Sequence, residues 1–310
     1  MKLVLLDAKT LGDDLDLSPL EQFGELIRYG STKAHETKDR INDADIILSN
    51  KVIIDRAIME QSPNLKLICI TATGMNNVDL VAAKELGIEV KNVAGYSTGS
   101  VAQHTFAMAL YLIEKLGYYN HTIKSKDWSN GELFTDVSKP YFEISGKQWG
   151  IIGLGTIGHK VATIASAFGA TVSYHSTSGA NTNQPYQHKE LERLLAESDI
   201  ISIHAPLNEK TENLINKQNL TLLKDNTILL NLGRGGIINE IDLAEELNAR
   251  EIYAGLDVTV KEPIEAKHPL LHINNPEQLL ITPHIAWASI EAREKLLDGL
   301  VENIKTFLQK

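Results

Sequence analysis

The chain has 310 residues, 43% of them hydrophobic and 23% charged, with a formal net charge of -10 at pH 7. That suits two cores of ordinary globular composition better than one, and uniform acidity speaks against a grip on phosphate backbones, so nucleic acid is not an expected partner. The opening apolar run is too short for a signal peptide and no run approaches a membrane span, so a cytoplasmic protein without a membrane partner is expected.

In chain order, apolar β-rich runs at 3–7, 25–30, 45–49, 65–71 and 88–93 alternate with helical stretches such as 55–61 and 78–86, the latter closed by Gly87. The single cysteine, Cys69, sits inside the fourth run and reads as a buried structural thiol. Residues 100–116 follow as a longer helix, with Val101, Thr105, Met108, Leu112 and Leu116 at helical spacing. Residues 117–145 show no regular period and read as a surface arm or oligomer contact. A second alternating series gives strands at 148–152, 170–174, 200–204, 227–231, 253–257 and 279–282, the six of a complete dinucleotide-binding fold. A final helix is expected over 289–308. The alternation predicts parallel sheets covered on both faces.

Gly153, Gly155 and Gly158 fit G-x-G-x-x-G between an expected strand and an expected helix over 156–168. The first glycine permits the turn, the second admits a pyrophosphate, the third lets helix and strand pack closely, and the helix N-terminus at Thr156 and Ile157 offers N–H groups to phosphate. A purely structural glycine turn is the competing reading, and the full strand series weighs against it. The acid that usually ends the second strand of such a fold is replaced by His175, followed by Ser176, Thr177 and Ser178. An acid there would bond the ribose hydroxyls and repel a 2′-phosphate, so relaxed use of NAD or NADP is expected. His175 reads equally well as a loop histidine.

Arg234, Asp257 and His284 each fall at or just beyond the carboxyl end of an expected strand, where open α/β sheets bind ligands, and Glu262 follows a few residues after Asp257. Each alone has a bland reading as a surface charge, a loop residue or a structural histidine. Their joint occurrence after the glycine-rich turn favours a site. No metal-ligand cluster is read.

Together, Gly153–Gly158, the Gly233–Gly236 turn around Arg234, Asp257 with Glu262 and Pro263, and Thr282-Pro283-His284 resemble the D-isomer-specific 2-hydroxyacid dehydrogenase family, and the likeness extends to 92–95 and 100–103. Ala286-Trp287 and 100–104 are most similar to glycerate dehydrogenases, also called hydroxypyruvate reductases. D-Lactate dehydrogenases share most of the same features. The resemblance implies two doubly wound parallel-sheet domains, with a Rossmann cofactor domain of residues 100–281 inserted in a flavodoxin-like substrate domain of residues 1–99 and 282–310. It also implies a homodimer, and an active site in a cleft whose closure excludes water.

The chemistry of 2-oxo acid reduction then distributes roles. Arg234 would hold the carboxylate and polarise the carbonyl through its planar fork, His284 would give the proton, and Glu262 would orient its imidazole. By resemblance, Thr73 and Gly74 would offer backbone N–H groups to the substrate carboxylate. Asp257 would bond the nicotinamide carboxamide, and Ala205, Pro206, Thr211, Leu232 and Gly233 would line the cofactor. Trp287 reads equally as pocket wall and as core. Gln103 stands where the family commonly has glutamate. Formate oxidation needs no proton donor and pairs its histidine with glutamine, so Glu262 argues against it. D-Lactate dehydrogenase remains an alternative, and a corepressor-like NAD(P)-sensing protein is the alternative from another class. The absence of extensions around the fold is taken to favour an enzyme.

Overall fold

The computed structural model describes all 310 residues, in two compact units, Met1–Ser97 with Trp287–Lys310, and Thr98–Ala286.

The first unit contains β1 (Lys2–Leu5), β2 (Glu25–Arg28), α1 (Ala34–Ile41), β3 (Ile46–Ser49), α2 (Arg56–Glu60), β4 (Leu67–Ile70), α3 (Leu80–Glu85) and β5 (Glu89–Lys91). Its five strands pair in parallel in the order β2-β1-β3-β4-β5, the flavodoxin-like order. β3 and β4 are buried throughout, as β-branched and leucine-rich runs must be when both faces are covered. Successive residues point to opposite faces, so Leu67 and Cys69 join one core while Ile68 and Ile70 join the other. Cys69 is fully buried, and burial pushes its thiol up to about 12, which makes it inert at neutral pH.

The second unit runs α4 (Thr98–Ile113), α5 (Leu116–Lys124), β6 (Gln148–Ile152), α6 (Thr156–Ala167), β7 (Thr171–His175), β8 (Gln187–His188), α7 (Leu191–Glu197), β9 (Ile200–Ile203), α8 (Lys217–Leu220), β10 (Ile228–Asn231), α9 (Glu240–Ala249), β11 (Tyr253–Leu256) and β12 (Leu279–Ile281). The last helix, α10 (Ile290–Leu308), returns to the first unit. The seven strands of the second unit are all parallel, in the order β12-β11-β10-β9-β6-β7-β8. Counted within the unit, this is the 3-2-1-4-5-6 order of a Rossmann sheet with one further strand beyond the sixth. Ile151, Ile200 and Leu230 pack against α4 and α6 on one face, and their neighbours Ile152, Ile201 and Leu229 pack against α7 and α9 on the other.

The structure departs from the sequence reading at four places. The third strand of the Rossmann order is the two-residue β8, too short to show a period, and the strand counted as sixth is the seventh. The helix expected to reach residue 116 stops at Ile113. Lys115 adopts a left-handed φ of 54°, and the chain restarts as α5 inside the segment expected to be irregular. A side chain at Gly117 would collide with the Tyr111 hydroxyl, so the break suits glycine there. The fourth departure concerns 282–286, expected in the substrate domain. These residues cluster with the second unit because Asp257 binds them, as described next.

Candidate active site

The glycine-rich turn is built as its spacing requires. Gly153 has φ 89°, and a Cβ there would lie 2.9 Å from the Ala205 backbone. A Cβ at Gly158 would strike the Gly153 carbonyl oxygen, which is how α6 comes so close to the end of β6. Gly155 differs, because a Cβ there would meet nothing within 4 Å. It is also the N-cap of α6, and no side-chain cap takes up the first N–H groups of that helix. Ala205 is pressed between two glycines, since a Cβ at Gly233 would lie 2.7 Å from its carbonyl oxygen. The ends of β6, β9 and β10 are thereby drawn together.

A cavity of about 780 Å³ opens at this edge. Gly153, Leu154, Gly155 and Pro206 form its floor, and Ser176, Thr177, Ser178 and Asn181 one wall. Asn181 donates from Nδ2 to the Leu154 carbonyl at 3.1 Å, which folds the serine-rich loop over the turn. His204, Asn208, Glu209 and Lys210 supply the rest, none of them expected from the sequence. Both ring nitrogens of His204 are buried without a partner, and burial pushes the imidazole down to about 3, so it is neutral at working pH. A bare glycine cradle, an uncapped helix and an unsatisfied buried imidazole on one cavity fit a dinucleotide.

Of the expected cofactor residues, Gly153, Gly155, Ser176 and Pro206 line this cavity, while His175, Thr211 and Leu232 do not. The His175 ring turns away from the cavity lining, with Nδ1 3.2 Å from the Lys189 carbonyl and the ring stacked on His188. Thr211 is fully buried. Its hydroxyl donates to the Pro206 carbonyl at 2.6 Å and accepts the Asn208 N–H at 2.8 Å, so it shapes the loop from beneath. Leu232 is packed in the core beside Gly233.

Arg234, Glu262 and His284 come together in the second unit. The buried Asn231 side chain accepts the Gly233 N–H at 3.0 Å and donates to the Arg234 carbonyl at 2.9 Å, closing the turn. The half-buried Arg234 guanidinium donates to the Gly233 carbonyl at 2.9 Å and forms no ion pair. A side chain at Gly235 would overlap the Thr259 backbone, so the Arg234 turn rests directly on the loop that carries Glu262. Glu262 Oε2 lies 2.8 Å from His284 Nδ1 and Oε1 accepts the Thr259 N–H at 3.3 Å. With Nδ1–H donating to the carboxylate, Nε2 is the ring atom left for chemistry.

Asp257, 2% exposed, brackets His284. Its Oδ1 accepts from the Thr282 hydroxyl at 2.6 Å and the Ile285 N–H at 2.9 Å, and its Oδ2 from the Ala286 N–H at 2.9 Å. Its carbonyl accepts the His284 N–H at 2.8 Å. These bonds hold His284 at a left-handed φ of 55°, a conformation costing about 1–3 kcal/mol in a non-glycine residue. The sequence reading assigned Asp257 to the cofactor and missed this anchoring role.

Thr73, Gly74 and Trp287 belong to the first unit. The Thr73 hydroxyl donates to the Val93 carbonyl at 3.0 Å and its carbonyl accepts from Asn92, so neither bond uses the N–H groups of Thr73 and Gly74. Trp287 packs edge-on against Tyr96, with ring centroids 6.3 Å apart, beside the core of that unit.

Residues 106–286 match the family model for the NAD binding domain of the D-isomer specific 2-hydroxyacid dehydrogenases. The chain belongs to this family. It is 39% identical to a hydroxypyruvate reductase of Blautia hydrogenotrophica over 100% of the chain and 97% of that relative. Among solved structures, an acyclic imino acid reductase in complex with NADPH and D-Arg superposes with a TM-score of 0.88 at 29% identity, covering 100% of this chain and 97% of that one. The D-lactate dehydrogenase of Aquifex aeolicus, complexed with NAD and lactic acid, gives 0.85 at 25% identity, covering 100% and 96%. As a family member the chain is an oxidoreductase with a nicotinamide-cofactor domain, built from the two parallel-sheet units described above.

Proposed function

We propose that this 2-hydroxyacid dehydrogenase reduces a small 2-oxo acid of the hydroxypyruvate or glyoxylate type to the D-2-hydroxy acid. The observation that carries the reading is the Glu262–His284 bond at 2.8 Å, on a loop locked against the Arg234 turn. When bound, the reduced nicotinamide supplies the hydride. Arg234, free of any acidic partner, clamps the substrate carboxylate and polarises the 2-oxo group. His284 transfers a proton from Nε2 to the oxygen that becomes the hydroxyl, and Glu262 keeps Nδ1–H aligned meanwhile. Asp257 fixes the segment bearing His284, and its Oδ2, which accepts a single bond, has a lone pair for the nicotinamide carboxamide.

The cofactor is held by Gly153, Gly155 and the α6 N-terminus, with Thr156 and Ile157 presenting their N–H groups to the diphosphate. No acid that would discriminate against NADPH ends β7, where His175 stands; the hydroxyls of Ser176, Thr177 and Ser178 line the cavity instead, and Lys210 in the same lining adds a cation. Glu209 lines the same cavity and offsets that charge. NADPH is therefore used within about tenfold of NADH, a difference of about 1.4 kcal/mol. Measuring kcat/KM with both cofactors tests this, and a native preference for NADH above about a hundredfold sinks it.

A panel of glyoxylate, hydroxypyruvate, pyruvate and longer 2-oxo acids tests the substrate. Preference for pyruvate turns the assignment to D-lactate dehydrogenase. Cofactor binding without turnover of any member turns it to a cofactor-sensing protein. A homodimer is part of the proposal, because Leu133, Phe134 and Val137 are 72%, 90% and 79% exposed on the segment after α5.

A further inference from the structure

A second carboxylate–imidazole pair grips the loop that carries Glu262. Glu240 opens α9 next to its N-cap Asn239. An acid there is commonly a solvated partner of the helix dipole. This one is 6% exposed and turned inward. Its Oε1 accepts the Val260 N–H at 2.6 Å, and its Oε2 lies 3.1 Å from His268 Nε2. His268 Nδ1 accepts the Leu270 N–H at 3.3 Å, capping the short turn Pro269–His272. A neutral imidazole has one donor and one acceptor nitrogen. With Nδ1 accepting, Nε2 carries the hydrogen and donates to Glu240, so Glu240 serves as an acceptor through both oxygens. Burial and the nearby Glu262 raise its carboxyl, while the Val260 N–H and His268 work against that rise.

The geometry defines what the pair does. The loop 259–262 touches Gly235 through Thr259, bonds Glu262 Oε1 through the Thr259 N–H, and meets Glu240 through the next N–H, that of Val260. Glu240 is thus the outer fastening of a loop whose inner side aims Glu262 at His284. We infer that Glu240 and His268 are positioning residues that set the place of Glu262 and, through it, the orientation of the His284 ring. The inference rests on the reading of Glu262–His284 as the proton-delivering pair, and the test separates the two.

The test is steady-state reduction of the preferred 2-oxo acid, with NADPH affinity measured in parallel by fluorescence titration. The variants are Glu240→Ala, His268→Asn, His268→Gln, Glu262→Gln and Glu240→Ala combined with Glu262→Gln. Asparagine retains a polar group near the Nδ1 position but loses the donor to Glu240, whereas the glutamine amide nitrogen reproduces that donor. Glu240→Ala is expected to lower kcat about tenfold or more, with substrate KM and NADPH Kd within about twofold of the parent. His268→Asn shifts kcat the same way and His268→Gln restores most of it. In the Glu262→Gln background, Glu240→Ala adds less than about twofold, because the route it acts through is already gone. Multiplication of the two effects overturns the inference, as does weakened NADPH binding or equal damage from both His268 variants. A Glu262→Gln enzyme with parental kcat instead removes the reading of the pair and this inference with it. If Glu240→Ala fails to fold, the two His268 variants in both backgrounds give the same discrimination.

Discussion

Gly155→Ala separates cofactor binding from folding more cleanly than any other substitution the structure offers. The residue has φ -85° and ψ -163°, which alanine adopts without strain, and its Cβ would meet no protein atom within 4 Å. Two small folding effects oppose each other. Restricting the unfolded chain stabilises by about 0.4–1 kcal/mol, and losing glycine from an N-cap costs about the same. The net change stays below about 1 kcal/mol, or about 2–4 °C in Tm. The new methyl group, however, stands where the cofactor diphosphate approaches the backbone. Losing one or two charge-assisted bonds of about 1.5–3 kcal/mol each raises NADPH Kd at least about tenfold, and above a hundredfold if both fail. The matched control is Gly158→Ala, whose Cβ would strike the Gly153 carbonyl, so it lowers Tm by several degrees through overpacking of about 1–3 kcal/mol. Fluorescence titration with NADPH and thermal denaturation without it report the two quantities. If Gly155→Ala binds NADPH within about twofold of the parent while folded, the open space beside Gly155 is not where the diphosphate lies.

Four further outcomes follow from the same geometry. Arg234→Lys keeps the charge but loses the planar fork, and kcat/KM should fall by about a hundredfold in a protein with parental far-ultraviolet dichroism; near-normal turnover refutes the clamp. His284→Gln should cost about 10²–10⁴ in kcat at unchanged cofactor affinity, and a smaller loss means another group delivers the proton. His204 titrates at about 3 when folded against its ordinary value of 6.5, so the unfolded chain binds more protons between these values; its stabilising contribution is complete above pH ~6.5 and is lost as pH falls toward 3. Replacing it with phenylalanine should flatten the slope of Tm against pH in that window, and an unchanged slope shows that the imidazole is not buried neutral. Finally, Phe134→Asp should shift sedimentation from dimer to monomer at micromolar concentration, and an unaltered profile places the subunit contact elsewhere.

The elements legible in the sequence were those with a strong period. β6, β9 and β10 carry mostly apolar runs, and glycine spacing marked both the Gly153–Gly158 turn and the Arg234 turn. β8 escaped notice because two residues have no period and the strand it pairs with, β7, ends at His175, well upstream of Gln187. α5 escaped because its start is a left-handed lysine, a conformation no local signal announces. In the site, Arg234, Glu262 and His284 stood out by residue type and order. His204, Lys210, Glu240 and His268 did not, since each looks like an ordinary strand end, loop or helix start until tertiary contacts give it partners. The Pro206-Leu-Asn208 run after β9 was the available clue to Lys210, because a loop leaving that strand end must pass the phosphate turn.

Position 235 has a practical consequence for anyone reshaping this catalyst. Randomised libraries commonly saturate residues flanking a reactive arginine. Here any side chain larger than hydrogen at 235 wedges the arginine turn away from the Thr259 backbone, and with it from the loop that carries Glu262. Variants at 235 will therefore read as dead whatever substrate is offered, and screens that include them will undercount the tolerance of the pocket. Libraries that keep 235 as glycine and place diversity at other positions avoid that false negative.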